Sequence, residues 1–199
     1  DKRPAIVIVP PVSKYDFRDV AMELVKDGYI VEIIDYCGSF TNGEKTSYPK
    51  SLSYASWPDC KEELTNYSRV TSESVYFIWS KIVRKAITLL CQLSITDNNK
   101  ISVFGSATGA EISWITAGID KRVQALIAIN GGGYLWAERT KSPVPQTDED
   151  TAFSSAIGAE TYARMTTCPI LFIASANSTY YDLDRSKDII NNAKSTNKT

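Results

Sequence analysis

The fold is decided by the stretch Ile101-Ser102-Val103-Phe104-Gly105-Ser106-Ala107-Thr108-Gly109-Ala110. Its first four residues are mainly apolar, which is typical of a strand buried inside a sheet. Its second half places Gly105 and Gly109 two positions either side of Ala107. This spacing predicts a sharp strand–turn–helix, because a strained central residue and a close passage of strand and helix both require small neighbours.

Strand-like and helix-like segments alternate on both sides of this turn. Apolar runs typical of buried strands occupy residues 5–9, 29–35, 100–104, 123–129 and 169–174. Apolar residues at helical spacing occupy 16–27, 72–93 (with Ser72 as N-cap), 110–118, 159–165 and 182–193, and 194–199 is expected to fray. Five strands that alternate with helices predict an α/β fold with a doubly wound, mainly parallel five-stranded sheet. Ligands of such sheets bind beyond the carboxyl ends of the strands.

Two long polar stretches interrupt an otherwise regular single domain of residues 1–199. They are a long loop over 36–71 and a lid-like excursion over 134–167, which contains the acidic run 148–150. The loop carries Tyr48, Tyr54 and Trp57. We expect these aromatics to anchor the loop, although aromatics on such loops also line ligand clefts. We expect 148–150 to be a solvated loop and not a metal site.

The composition is that of a neutral globular domain. Lysine and arginine total 22 against 23 for aspartate and glutamate, in 199 residues that are 43% hydrophobic. No basic surface is concentrated enough to predict nucleic acid or an anionic membrane as partner, and no apolar run predicts a transmembrane helix or a signal peptide. No cofactor is expected. Secretion is slightly favoured by three glycosylation sequons, at Asn66, Asn177 and Asn197.

Four cysteines are spaced too widely for a zinc site. They are Cys37, Cys60, Cys91 and Cys168. Buried free thiols are the main expectation, and a Cys37–Cys60 disulfide within the long loop is the alternative.

The glycine-flanked turn resembles the nucleophile elbow of the α/β-hydrolase superfamily. The resemblance extends over nearly the whole chain, including the strand that ends in Asn130-Gly131-Gly132-Gly133 and the later stretch Cys168-Pro169-Ile170-Leu171-Phe172-Ile173. Residues 154–163 look like those of esterase-type members related to acetyl xylan esterases and dienelactone hydrolases. The resemblance implies strand order 2-1-3-4-5 and a hydrolase-like core lacking the C-terminal strand and helix.

Transferred to this sequence, the superfamily's catalytic positions lack their catalytic groups. The serine nucleophile corresponds to Ala107, and the acid that follows the fifth strand corresponds to Ser178. Asp182 and Asp184 lie nearby but are expected to belong to the next helix. The third catalytic residue is histidine, and the chain contains none. The resemblance therefore implies a protein without ester hydrolysis at this turn.

The resemblance also implies two backbone donors for an oxyanion. One is the amide of Thr108, and the other is an amide at the exit of the first strand. Pro11 has no N–H, so the second donor falls to Val12 or Ser13.

Three interpretations of the elbow remain open. The first is a degenerate hydrolase-fold protein that binds a small acyl or carbohydrate ligand, or a protein partner; it accounts for all three departures together. The second is an esterase with Ala107 in place of its nucleophile and its C-terminal part missing, which leaves Ser178 unexplained. The third is a nucleotide-binding domain, against which a glycine-rich frame lacks its third glycine and Asn130 replaces the expected acid. A flavodoxin-like binding module shares the same strand order.

Three side chains near the turn have a structural and a functional interpretation. We expect Glu111 to be solvated or to stabilise its helix N-terminus, and not to act in the cleft. We expect Trp114 and Trp136 to pack in the core or under the excursion, with ligand contact as the alternative.

Overall fold

The computed structural model describes residues 1–12, 17–40, 46–57, 59–60, 70–132, 147–178 and 181–199. The strands are β1 Arg3–Val9, β2 Ile30–Ile33, β3 Thr96–Ser106, β4 Ala125–Ile129 and β5 Ile170–Ile173. The α-helices are α1 Arg18–Lys26, α2 Val75–Gln92, α3 Thr108–Ile119, α4 Asp148–Ile157, α5 Ala159–Ala163 and α6 Leu183–Asn192. Two 3₁₀ turns cover Lys50–Ala55 and Thr71–Glu73.

The sheet is parallel throughout and has the order β2-β1-β3-β4-β5. This confirms the predicted doubly wound five-stranded sheet and its strand order. The two central strands are in register from Ala5 opposite Ile101 to Val9 opposite Gly105. The glycine-flanked turn therefore leaves the sheet directly beside the exit of β1.

Successive side chains of β1 point to opposite faces of the sheet, as they do in any strand. Ala5, Val7 and Val9 join the larger core, which includes buried side chains from α2, α3, α5 and α6. Ile6 and Ile8 join a smaller core with Phe104 and residues of α1. Helices thus cover both faces, and the elbow lies on the side of the larger core.

Several element boundaries differ from the sequence predictions. The long helix begins at Val75, and its N-cap is Ser74, whose hydroxyl accepts from the amide of Phe77 at 3.4 Å. Ser72 lies in the preceding 3₁₀ turn, so the predicted cap was wrong by two residues. The acidic run at 148–150 begins helix α4 and is not a loop.

The C-terminal tail is paired to the sheet, so the expectation that it frays was wrong. The amides of Ile170 and Phe172 donate to the carbonyls of Asn197 and Thr199 at 2.9 and 2.8 Å. The amide of Thr199 donates back to the carbonyl of Ile170 at 3.0 Å. Residues 197–199 therefore extend the sheet in parallel beyond β5.

None of the four cysteines forms a disulfide, which confirms the expectation of thiols; Cys37 and Cys60 are buried, and Cys91 and Cys168 are half-buried. Within the described ranges, no helix has the length and apolar character needed to cross a membrane.

Candidate functional site

Ala107 lies at the apex of the turn between β3 and α3 with φ 51° and ψ −122°. An L-residue rarely adopts this backbone region, and holding it there costs about 1–3 kcal/mol. The amide of Ala107 donates to the carbonyl of Ile129 at 2.8 Å. Its carbonyl accepts from Ala110 and Glu111 at 2.9 and 3.2 Å. These bonds tie the strained residue to β4 on one side and to the first turn of α3 on the other.

Three glycines allow the elbow to pack this tightly. A Cβ at Gly105 would lie 2.6 Å from the Cα of Ala110, and one at Gly109 would lie 2.7 Å from the backbone carbon of Val9. A Cβ at Gly131 would overlap the carbonyl oxygen of Ala107. The strand–turn–helix therefore has the close backbone approach that the Gly-x-X-x-Gly spacing predicts.

The half-buried apex carries a methyl group where a nucleophile elbow carries a reactive oxygen. The neighbouring hydroxyl residues take structural positions on either side. Ser106 is the last residue of β3, in register with Ile129, and Thr108 is the first residue of α3. An alanine at the apex supplies no oxygen for attack on an acyl carbon.

The predicted oxyanion donors lie at the N-terminus of α3 and at the exit of β1. As the first residue of a helix, Thr108 has no intrahelical acceptor for its amide, and the helix dipole favours negative charge at this end. Val12 is half-buried at the exit of β1, and Ser13 lies outside the described residues. The exit is tied down by the hydroxyl of Tyr36, which donates to the carbonyl of Pro10 at 2.7 Å.

Ser178, the predicted acid position, lies in the turn that follows β5. Its hydroxyl oxygen accepts from the amide of Tyr181 at 3.1 Å, and its amide donates to the carbonyl of Ser175 at 3.2 Å. A hydroxyl at this position shapes the backbone and supplies no carboxylate charge to orient a base.

The two nearby carboxylates belong to helix α6, as the sequence predicts. Asp182 caps the helix, with Oδ1 accepting from the amides of Asp184 and Arg185 at 3.0 and 3.1 Å. Asp184 lies in the first turn and is 3.6 Å from the Nζ of Lys187. Both carboxylates stabilise the helix start.

Asn130 joins the exits of β4 and β5, a role that the sequence did not reveal. Its Nδ2 donates to the Oγ of Ser175 at 2.9 Å, and its Oδ1 accepts from the Ser175 amide at 2.7 Å. Its φ of 47° is one that asparagine tolerates better than most residues. The only sequence signal was the pair Asn130-Gly131 after a strand, which predicts a turn and not its partner.

The two described side chains of α3 that the sequence singled out are buried in the core. Glu111 is 4% exposed, so it is not solvated, and its place in the first turn of α3 fits the other expectation, a carboxylate that stabilises the helix N-terminus. Trp114 is fully buried, and its Nε1 donates to the carbonyl of Gly131 at 3.0 Å, which confirms a packing role. Trp136 lies outside the described residues.

The loop aromatics anchor the chain after β2, as predicted. The hydroxyl of Tyr48 donates to the carbonyl of Tyr36 at 2.5 Å, and that of Tyr54 donates to the carbonyl of Glu73 at 2.8 Å. Trp57 packs against the larger core. These contacts fix the described part of the loop beside the exit of β1.

No protein-family model matches the sequence, and a search of curated proteins also found no match. Solved structures do match. An acetyl xylan esterase from Paenibacillus sp. R4 superposes with a TM-score of 0.75 at 12% identity, covering 99% of this chain and 66% of that one. Acetyl xylan esterase 1 from Thermoanaerobacterium sp. JW/SL YS485 gives 0.74 at 13% identity, covering 100% and 67%. A putative dienelactone hydrolase from Klebsiella pneumoniae gives 0.62 at 15% identity, covering 100% of this chain and 73% of that one.

The chain therefore has the α/β-hydrolase fold, which it shares with these three solved structures. It spans about two thirds of the length of the two acetyl xylan esterases. At this level of identity the likeness establishes the fold and not the activity.

Proposed function

We propose that this chain binds an acyl- or carbohydrate-bearing small molecule at the carboxyl edge of its sheet without cleaving it. One observation carries the proposal: Ala107 occupies the strained apex of the elbow at φ 51°. The site has the backbone of a hydrolase and lacks the reacting atom.

Replacing the nucleophile at the elbow removes most of the catalytic rate. Removal of a serine nucleophile alone lowers kcat by a factor on the order of 10⁶ in an enzyme with an intact triad. This chain has no histidine to act as general base, and Ser178 provides no carboxylate to orient one. Little catalysis through an acyl-enzyme remains for such a site.

Features that favour ligand binding are retained. The amides at the N-terminus of α3 and the helix dipole favour a carbonyl oxygen or carboxylate placed above Thr108. The exits of β1, β4 and β5 are tied by hydrogen bonds from Tyr36 and Asn130. A site whose walls are fixed before binding loses less conformational entropy when a ligand enters.

A second candidate is an esterase that carries alanine in place of its nucleophile. Its support is that the chain spans only 66% of the length of the Paenibacillus esterase, so a longer protein has room for a histidine. The two candidates differ in what a restored serine does, provided that the protein assayed includes any residues that follow Thr199.

Hydrolysis of p-nitrophenyl acetate separates the two candidates. We expect the unmodified chain to release p-nitrophenol no faster than buffer, and the Ala107→Ser variant to remain equally slow. Ala152→Ser, an exposed position in α4, controls for an added hydroxyl. Turnover by the unmodified chain that saturates with substrate contradicts the proposal, whereas turnover gained only in Ala107→Ser identifies the esterase candidate.

Binding is tested on the same ester with a ¹³C-methyl label on alanine. We expect p-nitrophenyl acetate to shift the Ala107 methyl resonance saturably and to leave that of Ala152 unchanged. An Ala107 resonance that does not move up to the solubility limit of the ester argues against an acyl-binding site at the elbow.

A further inference from the structure

The elbow is held from one side by the segment 129–131, which ends β4 and continues past it. The carbonyl oxygen of Ile129 accepts from the amide of Ala107 at 2.8 Å. The carbonyl oxygen of Gly131 accepts from Nε1 of Trp114 at 3.0 Å, and Gly131 packs so closely on the apex that a Cβ there would overlap the carbonyl oxygen of Ala107. The first and last residues of this segment therefore both contact the elbow.

The middle residue of the segment, Asn130, contacts β5 and the residues that follow it. Its backbone amide donates to the carbonyl oxygen of Ile173 at 2.8 Å. Its side-chain Oδ1 accepts from the amide of Ser175 at 2.7 Å, while Nδ2 donates to Oγ of the same serine at 2.9 Å. Because a carboxamide that uses its acceptor and a donor on one partner has a fixed orientation, the left-handed backbone of Asn130, at φ 47°, is fixed relative to the exit of β5.

Ser175 begins the turn that connects β5 to α6. Its carbonyl oxygen accepts from the amide of Ser178 at 3.2 Å, and the hydroxyl of Ser178 accepts from the amide of Tyr181 at 3.1 Å. A series of hydrogen bonds therefore runs from this turn through Asn130 to the segment that holds Ala107. The backbone around the apex is thus connected to the turn after β5, which lies at the same carboxyl edge of the sheet.

We propose that Asn130 is a positioning residue, which keeps the Ala107 apex in its strained conformation by fixing the segment 129–131 to the exit of β5. A residue at φ 51° persists only when the surrounding structure holds it there. Removal of the Asn130 side chain frees that segment and also leaves the amide of Ser175 without its acceptor. The effect on the apex needs no ligand, whereas any effect on ligand affinity rests on the proposed function.

Amide hydrogen exchange of the Asn130→Gly variant tests this role. Glycine tolerates the positive φ of this position and lacks the side-chain hydrogen bonds. We expect exchange at Ala107 to rise at least about tenfold more than exchange at Leu126, near the other end of β4, whose amide donates to the carbonyl of Pro169 at 2.9 Å. A general loss of stability raises exchange at Leu126 at least as much as at Ala107. An equal or smaller rise at Ala107 therefore overturns the proposal.

Two further variants separate the side-chain hydrogen bonds from other effects of the substitution. Asn130→Asp tolerates the same backbone conformation, and its carboxylate accepts from both the amide and the hydroxyl of Ser175, so exchange at Ala107 should stay within about threefold of wild type. Asn98→Gly changes an exposed position in β3 where the side chain donates to the carbonyl of Cys91 at 3.4 Å. It should leave exchange at Ala107 unchanged relative to the reference amide. A selective rise of about tenfold in either variant contradicts the assigned role of Asn130.

Ser175→Ala removes the other half of the same contact. It deletes the Oγ acceptor and keeps the backbone amide, so we expect a selective rise in exchange at Ala107 of about two- to threefold. If Asn130→Gly fails to fold, this variant decides, and an unchanged ratio of the two exchange rates overturns the proposal. Ester binding is measured separately, from the Ala107 methyl resonance. Its absence in wild type contradicts the proposed function and leaves the exchange result to decide the role of Asn130.

Discussion

The two ends of helix α3 are held in place by different interactions: close backbone packing at the N-terminal end and ion pairs at the C-terminal end. Its N-terminal end carries the strained apex at Ala107, which is flanked by Gly105 and Gly109 and packed against Gly131. Its C-terminal end carries Asp120, a buried carboxylate with a full set of donors. The strained apex persists because the backbone packed around it holds it in place, whereas the C-terminal end is stabilised by charge-assisted hydrogen bonds.

The ion cluster at Asp120 is geometrically complete. Arg122 donates from Nε to Oδ1 at 2.9 Å and from Nη2 to Oδ2 at 2.6 Å. Arg84 donates from Nε to Oδ2 at 3.1 Å. The hydrogen bonds from Arg122 lower the pKa of Asp120 to about 2. This end of α3 therefore contributes stability and has no unpaired carboxylate oxygen to offer a ligand.

The largest effect on stability is expected from Gly109→Ala, which disrupts the close backbone packing at the N-terminal end of α3. The new Cβ would lie 2.5 Å from the carbonyl oxygen of Pro10 and 2.7 Å from the backbone carbon of Val9. Because these are backbone atoms at the exit of β1, which side-chain rotation cannot move aside, we expect a loss of more than about 3 kcal/mol in the free energy of unfolding. Urea denaturation followed by circular dichroism measures it.

Gly28→Ala is the matched control, since Gly28 has φ +90° and open space around its Cβ position. We expect this variant to lower the free energy of unfolding by about 1–2 kcal/mol, because only the positive φ is unfavourable for alanine there. Equal losses in the two variants would show that the elbow is not sterically tight.

A smaller effect is expected from Asp120→Asn at the other end of the helix. The variant removes charge-assisted hydrogen bonds from a buried site, and we expect a loss of about 2 kcal/mol near neutral pH. The pKa of Asp120 is lower in the folded state than its ordinary value of 3.8. Its stabilisation is therefore fully present above about pH 4 and disappears as the pH falls towards 2.

Urea midpoints recorded between pH 2 and pH 7 test this dependence. The difference between wild type and Asp120→Asn should shrink towards zero at the acid end. Asp184→Asn, at an exposed pair, should change stability by less than about 0.5 kcal/mol throughout. A pH-independent difference for Asp120→Asn would contradict the assigned role of its charge.

The smallest effect is expected from Ala107→Gly, and its sign is the informative part. Glycine removes the conformational strain of φ 51°, and the greater entropy of its unfolded chain offsets part of that benefit. We therefore expect the free energy of unfolding to rise by about 1 kcal/mol. Ala110→Gly, in the regular part of α3, should lose about 1 kcal/mol or more. Thermal unfolding of the two variants side by side measures this reversal.

The parts of the fold that sequence predicted are those set by local periodicity. The strands and the elbow follow from apolar runs such as 5–9 and from the glycines that flank Ala107, because both are short-range requirements on the backbone. The strand order is long-range, and only the resemblance to the α/β-hydrolase superfamily implied it. The predicted N-cap at Ser72 differed by two residues because several hydroxyl residues precede the helix and any of them can cap it.

The parts that sequence missed depend on partners distant in the chain. Two contacts form only once the sheet has folded, so local sequence does not predict them. They are the pairing of 197–199 with β5 and the hydrogen bonds between Asn130 and Ser175, forty-five positions apart. The burial of Glu111 likewise follows from what packs over α3 and not from its own neighbours in sequence.

Solution NMR at Ala107 tests the central claim most directly. A positive φ brings the amide hydrogen close to the Hα of the same residue, so the account predicts a strong intraresidue amide–Hα NOE for Ala107, well above those of the helical residues Ala110 and Ala117. A weak NOE, equal to that of Ala110, would place Ala107 in ordinary helical or extended backbone and contradict the elbow.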